Sequence, residues 1–266
     1  MSFRPFQPFR AFGGGAALDP DISAFVAATG ATDIATLTAL TAYLKAQSLW
    51  ANCRFYPCKS TQNHPSGTVL KGLGGITSND MTLYGSPTFG TGGMAMNATT
   101  QYGAVADFLD NSTHTVFVRR SGATGEVNGY IVAQYDFAAG ERSWALCTGS
   151  TTDMLMVRDS LGTAIAVERY SNAGSFSTSD YTWVAQWVAG GGRALWKNKT
   201  SLGLTLVAGS AQTTRLNSAD PLMINCIGVP GAISRPSGGT YIAVLVVQGS
   251  LTTTQREAIT DYLNAL

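Results

Sequence analysis

Charge is what this sequence has least of. Lys, Arg, Asp and Glu make up 12% of the chain, against about 25% in an average globular domain. The 17 basic and 16 acidic residues leave a formal net charge of +1. No basic stripe interleaved with aromatic residues runs through the chain, so the electrostatic footprint of a nucleic-acid binder is missing. Long apolar runs are missing too. The longest, Tyr241 to Val247, is far short of the roughly 20 residues that a membrane-spanning helix needs. At the N-terminus Pro5, Gln7, Pro8 and Arg10 interrupt any apolar stretch behind the first arginine, which is unlike a secretory signal.

Metal-binding and nucleophilic residues are equally sparse. The four cysteines, Cys53, Cys58, Cys147 and Cys226, contain no CxxC pair, which excludes a zinc ribbon and a dense disulfide framework. They read as free buried thiols, small apolar groups in effect. The two histidines, His64 in "QNHPSG" and His114 in "NSTHT", sit among turn-forming residues with no partner at ligand spacing, and turn or surface positions are expected for both. There is no G-x-S-x-G elbow and no H-E-x-x-H. Gly190 to Gly192 lack the Lys-Ser/Thr and helix of a phosphate cradle and suit a hairpin turn. Sequons at Asn97, Asn111 and Asn198 carry no weight without a secretory signal.

What is abundant is turn chemistry: 30 glycines in 266 residues, with many Ser and Thr, the profile of turn-rich β structure. Two short helices come first. Asp19-Pro20 supplies an N-cap and a proline at the first helical position, followed by Ile22, Phe25 and Val26 up to Gly30. A second helix from Asp33 places Ile34, Leu37, Leu40 and Leu44 on one face before "SLW", a stripe that must pack on something larger. From "CRFYPC" onward, short segments rich in β-branched and aromatic residues alternate with "NHPSG", "GLGG", "GTGG", "NGY", "NAGS", "AGGGR" and "PSGG". In "YTWVAQWVA", Tyr181, Trp183, Ala185 and Trp187 share one face and Thr182, Val184, Gln186 and Val188 the other, so both faces look covered. The spacing of such segments suits a two-sheet sandwich. At the end, Thr252 before Gln255 and Thr254 before Glu257 both have capping-box spacing, and Ile259, Tyr262, Leu263 and Leu266 form a stripe for a helix that seals the sandwich.

The pieces "TVFVRR", "YTWVAQWVAGGGRALWKNKTS" and "YIAVLVVQGSLTTTQREAITDYL" carry a resemblance. From Tyr102 onward the chain resembles the concanavalin A-like, laminin-G-type jelly rolls, in their tryptophan-bearing hairpin and closing strand. Before it, "LDPDISAFVAATG", "LTAYLKAQSLWANCRFYPC" and "TQYGAV" resemble the helical lead-in of such sandwiches in tailed-bacteriophage virion proteins. The resemblance implies a mainly β protein: a concanavalin A-like jelly-roll β-sandwich with an N-terminal extended arm, two short lead-in helices and a C-terminal helix. "KNKT" stands where the family has asparagine-glycine, so a longer or bulged turn is expected there.

Concanavalin A-like enzymes carry a Glu-x-Asp-x-x-Glu strand, and retaining hydrolysis needs two carboxyls about 5 Å apart. None of Glu126, Glu141, Glu168 and Glu257, the only glutamates, begins such a motif. Asp107 and Asp110 in "DFLD" suit a solvated turn. No catalytic residue, resident metal or cofactor is expected, although related domains hold calcium through loop carboxylates, for which Asp153, Asp159 and Asp180 are available. Jelly-roll lectins stack sugars on exposed rings, which makes Tyr84, Tyr130, Trp144 and Trp196 the candidate glycan contacts, with core packing as the default reading for each tryptophan.

The first dozen residues, "SFRPFQPFRAF", place Phe3, Phe6, Phe9 and Phe12 at every third position. A polyproline II helix has three residues per turn, and Pro5 and Pro8 bias the segment towards it, so the rings would line one edge. An exposed apolar ridge of this kind marks an interaction surface. Arg4 and Arg10 suit an acidic rim around the receiving groove. Gly13, Gly14 and Gly15 act as a swivel. A disordered leader, or an arm packed on its own sandwich or a sister subunit, are the alternatives. The expected organisation is an anchoring arm with a glycine hinge over 1–16, a helical lead-in over 17–52 and a sandwich with terminal helix over 53–266. The expected role is that of a non-enzymatic structural protein on the exposed surface of a tailed-phage particle, as capsid decoration, collar or neck fibre, or tail component. Its arm would dock to other virion proteins, and the body would be a homo-oligomer with a trimer favoured. A host-receptor or glycan-binding adhesin is the alternative.

Overall fold

The computed structural model describes residues 17–63, 68–76, 80–106, 109, 113–121, 129–135, 142–148, 154–158, 168–172, 179–188, 192–208, 221–234 and 236–266. Several expectations lie outside these: the arm residues Phe3, Arg4, Phe6, Phe9, Arg10 and Phe12, the hinge Gly13 to Gly15, His64, Asp107, Asp110, Asn111, Asp153 and Asp159.

Helix α1 (Pro20–Thr29) starts where its signals put it. Asp19 accepts from the Asp21 amide at 3.0 Å, Pro20 needs no amide partner, and Gly30 ends the helix at φ 67°, donating to Val26 O at 2.8 Å. Helix α2 (Ile34–Ala46) is capped by Asp33, which accepts from the Thr36 hydroxyl at 2.8 Å. A single 3₁₀ turn, Trp50–Asn52, then delivers the chain into the sheets.

The strands in chain order are β1 (Cys53–Pro57), β2 (Val69–Leu70), β3 (Met81–Tyr84), β4 (Thr88–Gly90), β5 (Gly93–Met96) and β6 (Tyr102–Val105). Next come β7 (His114–Ser121), β8 (Tyr130–Tyr135), β9 (Arg142–Thr148), β10 (Met154–Arg158), β11 (Glu168–Asn172), β12 (Tyr181–Trp187) and β13 (Arg193–Lys197). The last are β14 (Thr200–Leu202), β15 (Thr205–Ala208), β16 (Leu222–Ile224), β17 (Ile227–Val229), β18 (Ala232–Ser234) and β19 (Gly239–Gln248). One sheet runs β14-β13-β12-β7-β19-β5-β4, with β1 also paired to β19. The other runs β15-β11-β10-β9-β8-β16-β6-β3-β2, and the paired strands within both are antiparallel. The result is the expected jelly-roll sandwich.

The first sheet is buried on both faces, which explains its unbroken apolar strands. Inward, Val116, Val118, Trp183, Ala185, Trp187, Tyr241, Val244 and Val246 meet Ile131, Trp144 and Leu146 of the second sheet. Outward, Phe117, Val184, Ala243, Leu245 and Val247 pack under the helices against Ile22, Phe25, Leu37, Leu40 and Leu44. The "something larger" that the α2 stripe required is therefore the back of this sheet. Helix α3 (Thr253–Asn264) joins the same layer through Ile259 and Leu263, with Tyr262 and Leu266 partly buried beside them. Its capping box closes at Thr252 and Gln255. Thr254 lies inside the helix, so the second candidate box does not form.

Two further expectations are corrected. His114 opens β7 and is fully buried. Its ring stacks on Trp187 with centroids 5.3 Å apart and lies 4.9 Å from Trp144. The turn-like residues preceding it in sequence hid the fact that the strand begins at the histidine. The "KNKT" turn is neither longer nor bulged: Lys197 pairs with Thr200 and Trp196 with Ser201 without a register shift. Asn198 takes φ 54°, a conformation asparagine tolerates, and so replaces the glycine of a two-residue hairpin.

Candidate functional site

A cleft among the described residues lies where the lead-in helices meet the sandwich, and it depends on how the chain turns from α2 into β1. After α2, Ser48 adopts φ 57° and the 3₁₀ turn sets Trp50 at the corner, half-buried. The "KGLGG" segment then runs alongside. Leu73 bonds Phe55 in both directions, at 2.6 and 2.7 Å, and Gly75 N donates to Trp50 O at 2.8 Å. This approach requires glycine. A Cβ on Gly74, at φ 142°, would stand 2.3 Å from Cys53 O, and one on Gly72 would stand 2.2 Å from Arg54 Nε.

The cleft has a volume of about 290 Å³. One wall is α1, which presents Asp21, Ala24 and Ala28; the other carries Trp50, Lys71 and Asp80. Phe25 and Leu73, 6% and 4% exposed, lie at its base. The alanines matter by being small, because a longer side chain one turn apart on this face would fill the space.

The ionic groups at the rim are largely paired with each other. Lys71 Nζ donates to Asp80 Oδ2 at 2.7 Å and the Gly72 amide to Asp80 Oδ1 at 3.1 Å. Arg54, with its side chain 6% exposed, lies 3.5 Å from Asp80 Oδ1 and donates to Ile76 O at 3.3 Å. At the other end Lys45 Nζ reaches Asp21 Oδ2 at 2.6 Å and both Asp19 oxygens at 2.7 Å, while lying 4.9 Å from the Trp50 ring centroid. The Lys45 hydrogen bond holds the Asp19 carboxyl below its ordinary pKa, aided by the Asp21 amide and opposed by partial burial. Asp21 keeps one carboxylate oxygen without a partner, and Lys71 has protons to spare.

The residues singled out from sequence as glycan contacts are placed elsewhere. Trp144 is fully buried between the sheets, where it donates from Nε1 to Gln134 Oε1 at 3.2 Å, and Tyr130 is 2% exposed. Trp196 is 8% exposed, with the Arg256 guanidinium 4.1 Å above its ring. These three are packing residues, because both faces of the first sheet and the inner face of the second are covered. Tyr84 is half-buried and stacks on Tyr102 at 4.5 Å, so one of its faces is already taken. Asp180, a candidate calcium ligand, is held by Arg119 through contacts of 2.9 and 2.6 Å. Among the described residues, no group of three or more His, Cys, Asp or Glu is placed to hold a metal ion. The half-buried ring on the rim of the cleft, Trp50, was read in sequence only as part of the "SLW" end of α2. The available signal was that it falls outside the α2 stripe and outside the strand alternation, as a residue at a corner must.

Neither a protein-family model nor a curated protein matches the sequence. Among solved structures the fold is shared with botulinum neurotoxin type C, which enters cells in dependence on two ganglioside molecules (TM-score 0.58, 8% identity, 82% of this chain and 53% of that one). It is shared also with the botulinum neurotoxin serotype D ligand-binding domain in complex with N-acetylneuraminic acid (TM-score 0.53, 10% identity, 81% and 52%). A third neighbour is Trypanosoma rangeli sialidase in a mutant with trans-sialidase activity (TM-score 0.55, 10% identity, 86% and 39%). The chain spans about half the length of the neurotoxin chains and less of the sialidase. At these identities the likeness establishes the fold alone, a β-sandwich.

Proposed function

We propose that this protein is a non-enzymatic structural component of a tailed-phage particle, docked through its N-terminal arm and presenting the lectin-like sandwich on the virion surface, with a homotrimer as the assembled form. The observation that carries this reading is the junction where the arm meets the body. The turn that opens α1 is clasped by Lys45 to the end of α2, and α1 and α2 share a core with the sheet behind them. A tether that enters at a braced helix transmits its position to the whole body instead of swinging a loose end. Phe3, Phe6, Phe9 and Phe12 supply the apolar anchor and Arg4 and Arg10 its polar margin. Deleting residues 2–15 tests the proposal: particles should lose the protein, while the truncated chain still folds. Incorporation at full occupancy would refute it.

A second reading, a glycan-binding adhesin, is favoured by the Trp50 cleft, and two of the structural neighbours bind gangliosides or N-acetylneuraminic acid. A glycan array with the intact protein tests it. Release of reducing ends from any polysaccharide would overturn the non-enzymatic part of both readings.

A further inference from the structure

We infer that the Trp50 cleft is a binding site for a single uncharged, hydroxyl-rich ring, such as one neutral sugar residue at the end or within a chain of a glycan; this rests on the adhesin reading and gives it a place and a ligand class. The size comes first. Small-molecule sites run from about 300 to 1,000 Å³, and at about 290 Å³ this one has room for one ring and little more.

The distribution of polarity comes second. A pyranose has an apolar face of C–H groups and an equatorial rim of hydroxyls. The cleft lining offers both kinds of group: apolar surface from the Trp50 ring, Ala24, Ala28 and Leu73, and polar groups towards its ends from Asp21 on one wall and Lys71 with Asp80 on the other. The Trp50 ring is fixed in place by its half-burial and by Lys45 packed 4.9 Å from its centroid. A ring held in this way costs little further ordering when a ligand stacks on it.

The charge count comes third and decides against charged ligands. Asp80 is paired with Arg54 and Lys71, and Asp21 with Lys45, so the charges along the rim are already matched. A charged group of either sign would have to displace one of these existing ion pairs to be satisfied, whereas a neutral hydroxyl would not. What the rim offers beyond its internal pairs is one free acceptor oxygen on Asp21 and spare protons on Lys71. Hydroxyls can both donate to the first and accept from the second, and a sugar ring carries several around its rim.

A phenylalanine of the N-terminal arm is the competing occupant, since Asp21 lies close to where the arm ends, and the test separates the two. The full-length protein is titrated by saturation-transfer NMR with methyl α-glucoside, methyl α-galactoside and N-acetylglucosamine as neutral probes, and with glucuronate and glucosamine as charged ones. Neutral probes should bind in the millimolar range and charged ones at least ten-fold more weakly. Trp50→Ala and Ala28→Leu should each abolish binding. Ala28→Leu adds a strong helix former at an exposed position and leaves the unfolding temperature unchanged. Binding of neutral sugars that survives Ala28→Leu, or charged probes binding as tightly as neutral ones, would overturn the inference while leaving the adhesin reading intact. Neutral-sugar binding that appears only once residues 2–15 are removed would assign the cleft to the arm in the intact chain and overturn it too. Absence of binding to any glycan on an array would bring down both.

Discussion

Lys45 Nζ sits 2.7 Å from Asp19 Oδ2, joining the last turn of α2 to the residue that caps α1. One lysine thereby braces the start of α1, neutralises the first turn of α1 through Asp21, and backs the Trp50 ring.

The clasp has a definite pH dependence. The folded-state pKa of Asp19 is depressed, so its contribution is present above the ordinary carboxylate pKa and is lost as pH falls through the lower, folded value. Stability should therefore be flat from neutral pH down to about pH 4 on this account and fall below that. Lys45→Met should flatten this acid limb and lower neutral-pH stability by about 1 kcal/mol or less, since the groups are partly exposed. Urea unfolding at pH 7 and pH 3 measures both effects, and an unchanged acid limb in the variant would disprove the assignment.

Gly74→Ala should destabilise the fold by at least about 2 kcal/mol. The position combines φ 142° with a backbone oxygen 2.3 Å from the added carbon. Gly92→Ala, with open space at its Cβ site and no positive φ, should cost much less. Thermal unfolding of the pair checks the contrast.

The tryptophans divide by role. Trp144→Ala removes a fully buried ring packed 4.6 Å from Trp187 and should cost about 3–5 kcal/mol. Trp50→Ala should cost about 1 kcal/mol, largely the contact with Lys45. If the cleft inference holds, the variant with the smaller stability cost is the one that loses sugar binding.

The thiols should be silent. Cys53, Cys58, Cys147 and Cys226 are buried and form no disulfide, and burial pushes the Cys53 thiol up to about 12 and raises those of Cys58 and Cys226 as well. Ellman's reagent should modify none of the four in the native protein at pH 8 and all of them in guanidinium. Rapid native modification of any one would contradict this.

The helices were legible because their signals are local. Asp19-Pro20, Gly30, Asp33 and the Thr252–Gln255 box act within a few residues of themselves, and the structure uses each as the sequence placed it. The strand "YTWVAQWVA" was legible for a similar reason, since apolar residues on both faces leave a doubly covered strand as the consistent reading. The capping-box spacing at Thr254 and the turn-like surroundings of His114 misled because spacing alone does not say where an element begins.

By itself, then, the chain determined its secondary structure, its sandwich class and the burial of its cysteines, because propensity, periodicity and capping depend on neighbours in sequence. Only the tertiary structure decided which aromatic rings face open space. Trp144 and Trp50 are the same residue type, yet one lies between two sheets and the other at a corner beside a cleft, and that difference is set by segments 21 to 43 residues away in the chain: Asp21 to Ala28 and Lys71 to Asp80 for Trp50, His114 and Trp187 for Trp144. A cleft is made by the gap between such segments, and no local pattern encodes a gap.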